Sequence, residues 1–458
     1  MPKEVPIVKA PQWLQFIQWI IDPVSYLQNC QKYSPDIFEA DINGIGANQR
    51  LIFVNNPKLI QYILTHDGDT PTLGDRKELI SPGDGIGVLQ PLIGDRAVVM
   101  LEGEKHKLRR RLLMPPFHGE RLQVYGELVT KLTTEAIAKN PFHISFKAVE
   151  LTQDISLQVI MQAVFGLYQG DRYDKIRQLL IYIFDTFNSP FTSGFLFLKF
   201  LQKDWGLWGK FLRHREELDD LIYREISERS SDSTQSNRTD ILSLLMTAKD
   251  ETGQGMTPQE LRDELITLLL AGLETTSTTM AWALYWIHRQ PEVKKRVLQE
   301  IDSLGEEYTA NDVVALPYLT AVCNETLRIH APVVFTFSRV AQQDLDILDY
   351  KLPKYSRIMC CIYLLHQRED IYPEPDKFKP ERFLERKYSP YEFMPFGGGA
   401  RRCIGEALAM FEIKVALVTL LSRYEFALTD SRREIPKRRG VILTPNRGVP
   451  IKVIGYRK

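Results

Sequence analysis

Cys403 is the residue of this chain best placed to do chemistry. It follows Phe396-Gly397-Gly398-Gly399-Ala400-Arg401-Arg402 and precedes an apolar helical pattern that starts at Ile404 and runs to about Tyr424. Glycines, lacking Cβ, let backbone approach something flat and bulky. A thiol at the mouth of a helix meets the positive end of the macrodipole and free N–H groups, both of which favour the thiolate. With Arg401 and Arg402 alongside, the stretch suits a thiolate ligand to a metal centre that carries anionic groups. The alternative is an inert, buried cysteine behind a glycine loop. Cys30, Cys323, Cys360 and Cys361 have neither zinc-ligand nor Cys-x-x-Cys spacing, and the odd total suits a reducing compartment.

Three further constellations stand out. Ala271-Gly272-Leu273-Glu274-Thr275 lies in a helix that is otherwise apolar nearly all round, and Thr275 opens five consecutive Ser/Thr residues. An uncompensated acid there is costly. A threonine can bond the carbonyl four residues back, here Ala271, so the segment reads as a wet notch or as hydroxyls that satisfy one another. Glu325 and Arg328 share a helix face at i,i+3 and can pair. His106 and Arg110 share one at i,i+4, within a basic run that would otherwise read as a solvated surface.

The elements that must position these residues are mostly helices. Thr257-Pro258-Gln259-Glu260 forms a capping box with proline at the first helical position, and the helix it opens continues to His288. Helical text fills about 57–330 and 390–430, and β-like text about 37–55, 333–365 and 440–455. The tail alternates like a hairpin around Pro445-Asn446-Arg447-Gly448, and residues Gly74–Asp95 read as a long loop. Without a composition break or repeat, residues 1–458 read as a single domain, mainly α with a smaller β portion (α+β).

Phe396, Gly399, Arg401, Cys403 and Gly405 together match the pattern Phe-x-x-Gly-x-Arg-x-Cys-x-Gly. The chain therefore resembles the cytochrome P450 superfamily, in particular bacterial soluble members of the fatty-acid hydroxylase type. That resemblance implies a fold with haem b between the long central helix and the helix of the cysteine loop, and Cys403 as axial thiolate. It implies that Phe396, Gly397, Gly405 and Ala409 border the cofactor, and that His106, Arg110, Arg339 and Arg401 hold its propionates. Ala271 and Gly272 fall in the oxygen-binding groove, with Thr275 and Glu274 as the catalytic alcohol and acid. Arg382, in Pro380-Glu381-Arg382-Phe383, joins Glu325 and Arg328 in a structural network. The implied activity is that of a monooxygenase, since thiolate ligation favours O–O cleavage. A peroxide-driven peroxygenase and a haem gas sensor or carrier are the competing readings. An intact Glu274-Thr275 pair and the lack of an output domain weigh against them.

Substrate and partners are less sharply drawn. Phe184, Phe187, Phe191, Phe195, Phe197, Phe200, Trp205 and Trp208 make one segment aromatic, as pocket roof or as ordinary core. The expected walls, Ile86–Leu92, Leu269–Leu270, Val333–Phe337 and Val441–Leu443, are apolar. A lipophilic substrate follows, long-chain fatty acids first and terpenoids or steroids next, with Arg76 or Lys77 as a guess for a carboxylate anchor. Nothing resembles a flavin or nicotinamide fingerprint, so electrons come from a separate ferredoxin or flavodoxin and its reductase. Lys105, Lys107, Arg109, Arg402 and Lys414 are candidates for its docking patch. Lys+Arg and Asp+Glu are each 58, a zero balance that gives no attraction to nucleic acid. The apolar run from Trp13 to Ile21 is too short to span a bilayer, so a cytoplasmic protein is expected, with no transmembrane anchor and adhesion to a membrane surface left open.

Overall fold

The computed structural model describes residues 2–42, 51–67, 78–80, 87, 89–119, 121–188, 205–231 and 238–457. The central helix runs from Pro258 to Arg289. Its start is fixed as the sequence predicts: Thr257 Oγ1 accepts the Glu260 N–H, and Glu260 Oε2 accepts the Thr257 N–H at 2.8 Å. Trp282, Leu284 and Ile287 are buried on several faces, as expected of a helix at the middle of a helical core. A Cβ on Gly272 would stand 2.5 Å from Cδ1 of Ile160. The bare α-carbon thus lets helix Ala148–Phe165 cross tightly over the central helix.

Acids on the central helix fix its neighbours. Glu264, fully buried, accepts from Arg109 Nη1 at 3.0 Å and from the Val98 N–H at 2.8 Å. Asp263 accepts the Arg96 N–H and pairs with Arg262. Together they clamp the segment around Ala97 and the basic helix Gly103–Leu113 against the central helix.

A second clamp holds the cysteine loop. Glu325 accepts Arg328 Nε at 2.7 Å and Nη2 at 2.9 Å, Arg382 Nε at 3.1 Å and the Lys379 N–H at 2.9 Å. The ring of Tyr372 lies beneath both guanidinium groups. Arg328 Nη1 also donates to the His366 carbonyl at 2.8 Å, and His366 Nε2 accepts the Met394 N–H at 3.1 Å. Met394 is two residues before Phe396, so the network reaches the strand of chain that leads to Cys403.

The β portion holds a five-stranded sheet in the order Ile37–Ala40, Leu51–Val54, Arg357–Cys360, Arg339–Ala341, Leu79–Ile80, with Leu51–Val54 and Arg357–Cys360 parallel. Two expectations need correction. The terminal hairpin turns at Gly440–Val441, pairing Pro436–Arg439 with Ile442–Pro445, whereas Pro450–Tyr456 pairs with Tyr424–Leu428 and Phe146–Lys147 in another sheet. The alternation across Pro445–Gly448 is therefore two strands of different sheets read as one hairpin. The helix after the cysteine begins at Glu406, with Gly405 as N-cap, and ends at Arg423. The expected long loop falls largely on residues outside those described.

Two outcomes follow for stability. Arg328→Leu leaves Glu325 buried with one cation fewer, and should lower unfolding free energy by about 3–5 kcal/mol in urea titrations; a loss below about 1 kcal/mol would contradict the network's role. Glu412, buried on the helix after the cysteine and bonded to Ser156 Oγ at 2.6 Å, has its pKa raised from 4.5 to about 8 by burial. The folded chain therefore keeps a proton that the unfolded chain releases, and stability falls as pH rises from about 4.5 to about 8. Glu412→Gln should flatten that decline, read as urea midpoints across the same window.

Candidate active site

The cysteine loop is closed by its own backbone. The Cys403 N–H donates to the Phe396 carbonyl at 2.9 Å, after a short 3-10 turn over Gly399–Arg401. Gly399 sits at φ 65°, and a Cβ there would stand 2.6 Å from the Leu64 carbonyl oxygen. Only glycine tolerates both the left-handed backbone and that approach. Cys403 lies deep among protein atoms, yet its side chain is solvent-accessible, in contrast to the four other cysteines, all buried. A deep, accessible thiol faces an interior space. Burial raises its proton affinity; the Gly405 N–H lowers it, Glu406 raises it, and Arg110 and Arg402 lower it. Arg402 is itself paired with Glu406, at 2.5 Å, so its help is partly cancelled.

Three basic groups gather beside the thiol. His106 is kept neutral, its pKa pushed down to about 3 by burial and then by Arg401, Arg110 and Lys107. Arg401 is buried, donating to Leu101 O at 2.6 Å and Val98 O at 3.4 Å. Arg110 is half-buried and has no hydrogen bond or ion pair to a side chain among the described residues. Cys403 is the acidic group beside it, and a partly desolvated guanidinium with no carboxylate partner among the described residues is an unfavourable arrangement unless an anion completes it. Open space lies where a Cβ on Gly397 or Gly405 would stand. Tested against haem, the residues fit: a deep accessible sulfur, bare backbone on either side of it, and converging cations for two carboxylates.

Arg339 and Gly272 make protein contacts of their own. The Arg339 fork donates to the buried Asp67 at 3.2 and 3.3 Å and to the Phe337 carbonyl, so it ties the sheet to the chain after helix Pro57–Thr65. Gly272 serves the helix crossing described above. Ala271 is exposed in the middle of the central helix, whose other exposed residues lie at its ends, and it accepts the Thr275 hydroxyl at 2.7 Å. Glu274 stands 3.8 Å from Arg439 Nε of the hairpin, and with Asp185 and Lys437 it lines a surface cleft. Phe396 and Ala409 are half-buried on the cysteine loop and its helix.

Among the expected pocket residues, Leu269, Phe184 and Trp208 are buried, while Val333, Phe337, Val441 and Trp205 are exposed. Arg76, Lys77, Phe191, Phe195, Phe197, Phe200 and the Phe187 side chain lie outside the described residues. Of the expected docking patch, Arg109 is held by Glu264 and Glu260 and buried Lys414 by the Val314 carbonyl, Lys107 and Arg402 make surface pairs with Glu104 and Glu406, and Lys105 is exposed. Arg109 and His366 are the supporting residues that sequence reasoning missed. Glu260 and Glu264, at i,i+4 on an apolar helix, were the signal that a cation had to meet them. For His366 there was none.

The family model described as Cytochrome P450 matches residues 11–453. Cytochrome P450 135B1 of Mycobacterium tuberculosis is 32% identical over 428 residues, which cover 93% of this chain and 86% of that protein. Cytochrome P450 137 of the same species is 33% identical over 385 residues, covering 82% and 76%. The solved heme domain of cytochrome P450DA superposes with a TM-score of 0.85 at 21% identity, over 100% of this chain and 99% of that one. A retinoic acid-bound cyanobacterial CYP120A1 gives 0.82 at 21% identity over 99% of each. The structural neighbours speak for the fold, and the family model and the mycobacterial relatives speak for membership. The chain belongs to the cytochrome P450 family and is a haem-thiolate monooxygenase.

Proposed function

We propose that this enzyme binds haem b through Cys403 and hydroxylates C–H bonds of a lipophilic substrate, with long-chain fatty acids as the first class and terpenoids or steroids as the second. The observation that carries the reading is the deep, accessible Cys403 thiol beside Arg110, Arg401 and neutral His106. The retinoic acid of the cyanobacterial neighbour, itself a lipophilic carboxylic acid, is in keeping with the substrate class.

Bound there, haem supplies dioxygen activation and attack on the substrate C–H. The chain's own residues do the rest. Arg110 and Arg401 would hold the propionates, with neutral His106 donating from one ring nitrogen. The Thr275 hydroxyl donates its hydrogen bond to Ala271 O, which leaves its lone pairs to accept from an ordered water; rotation off that carbonyl frees the O–H to donate into the groove. Glu274 touches the solvent cleft on one side and precedes Thr275 in the chain, so it can take up protons from bulk water and pass them inward. Electrons come from a separate ferredoxin or flavodoxin with its reductase.

Thr275→Ala should keep haem and substrate binding while product per NADPH consumed falls roughly tenfold or more, with the difference recovered as hydrogen peroxide. Unchanged coupling would remove Thr275 from proton handling. Arg110→Ala should retain far-UV dichroism but lose haem on gel filtration; full haem content would reassign that guanidinium. Titration with fatty acids, terpenes and steroids should give low-to-high-spin shifts with the fatty acids, and shifts with steroids alone would overturn the substrate class.

A further inference from the structure

A second cleft opens away from the cysteine loop, between the end of the central helix, the helix Pro291–Asp302 and the segment 376–379. Its volume of about 550 Å³ falls within the range of about 300–1,000 Å³ usual for small-molecule sites. Trp286, on its floor, stands about 16 Å beyond Thr275 along the helix axis. The floor is aromatic: Trp286 and Phe378 stack with ring centroids 4.8 Å apart, Tyr318 completes it, and all three are buried. The Trp286 Nε1–H has no acceptor among the described residues, an unfavourable state for a buried donor unless something supplies one. The rim carries four charges that the fold leaves unpaired. Arg289 and Arg433 are exposed and have no hydrogen bond or ion pair to a side chain among the described residues, and the same holds for Glu292 and Asp376. The other charges on the rim are engaged: Lys377 and Lys379 with Glu374, and Glu381 with Arg296 and with Tyr318 Oη at 3.0 Å.

We propose that this cleft is a second binding site, separate from the haem pocket, for a free α-amino acid with an aromatic or bulky apolar side chain. One exposed charge is ordinarily solvated, but two of each sign around one aromatic floor select among occupants. A phosphate would meet Glu292 and Asp376, a plain amine would meet Arg289 and Arg433, and a neutral apolar molecule would match none of the four. A zwitterion matches both pairs. Its carboxylate suits the planar guanidinium forks, its ammonium suits the two acids, and its side chain rests on the rings. Occupancy has a structural consequence. Gln290 Nε2 donates to the Phe378 carbonyl at 3.2 Å, and the Lys379 N–H, one residue on, donates to Glu325. An occupant that joins the central helix to this segment therefore braces the clamp on the cysteine loop, and a ligand of the folded form alone stabilises it. The proposal is independent of how haem is held and of the substrate class.

The test is calorimetric titration of the haem-loaded enzyme with L-phenylalanine, beside phenylpropionate, which lacks the ammonium, phenethylamine, which lacks the carboxylate, and glycine, which lacks the ring. L-Phenylalanine should bind at one equivalent and raise the thermal unfolding midpoint, and each of the others should bind at least about tenfold more weakly. Arg433→Glu and Asp376→Lys, both at exposed positions, should each weaken L-phenylalanine binding by a similar factor while far-UV dichroism, haem content and the Soret band stay as in wild type. No saturable binding below about 10 mM, or binding unchanged in both variants, would overturn the proposal. So would a Soret shift on adding L-phenylalanine, which would place it at the iron, or phenylpropionate binding as tightly as the amino acid, the mark of a plain anion site. None of these results bears on ligation by Cys403, which the spectrum of the carbon monoxide complex reads separately.

Discussion

A sulfur atom set deep among protein atoms holds negative charge best where the surrounding backbone and a metal share it. In this chain burial works against the thiolate of Cys403, and the Gly405 N–H works for it. Every larger feature of the site serves that one balance. The loop keeps its shape because the Cys403 N–H closes onto Phe396 and because Gly399 lets the chain press against Leu64. The helix that begins at Glu406 presents its N-terminal end behind the sulfur.

Polar networks that lie far from the sulfur in sequence set how firmly the loop is held. Glu325, Arg328 and Arg382 are buried charges whose geometry satisfies one another and the carbonyls around them. Their reach to the loop is indirect, by the His366 carbonyl and then by the His366 ring to Met394. The tautomer follows from that bond: Nε2 accepts, so Nδ1 carries the proton, and burial keeps the ring neutral with a pKa near 3. On the other side, Arg109 fixes the basic helix to Glu264 and thereby aims His106 and Arg110 at the site.

Much of this was legible in the sequence where local chemistry dictated it. The central helix announced itself by its cap, and the cysteine loop by five spaced residues. What stayed hidden depends on partners distant along the chain. Arg109 looked like surface charge because its acids lie more than 150 residues away. Asp67, which meets the Arg339 fork, gave no signal of its own. The terminal strands were paired wrongly because alternation shows which residues share a face and says nothing of which sheet receives them.

The bond from Cys403 to iron is the claim on which the rest stands, and the absorption spectrum of the reduced, carbon monoxide-bound protein reports it most directly. Wild type should show the strongly red-shifted Soret band of thiolate ligation, and Cys403→His, if it holds haem, should show the shorter-wavelength band of an imidazole ligand. A wild-type spectrum without the red shift, or a red-shifted band that persists in the histidine variant, would contradict the account.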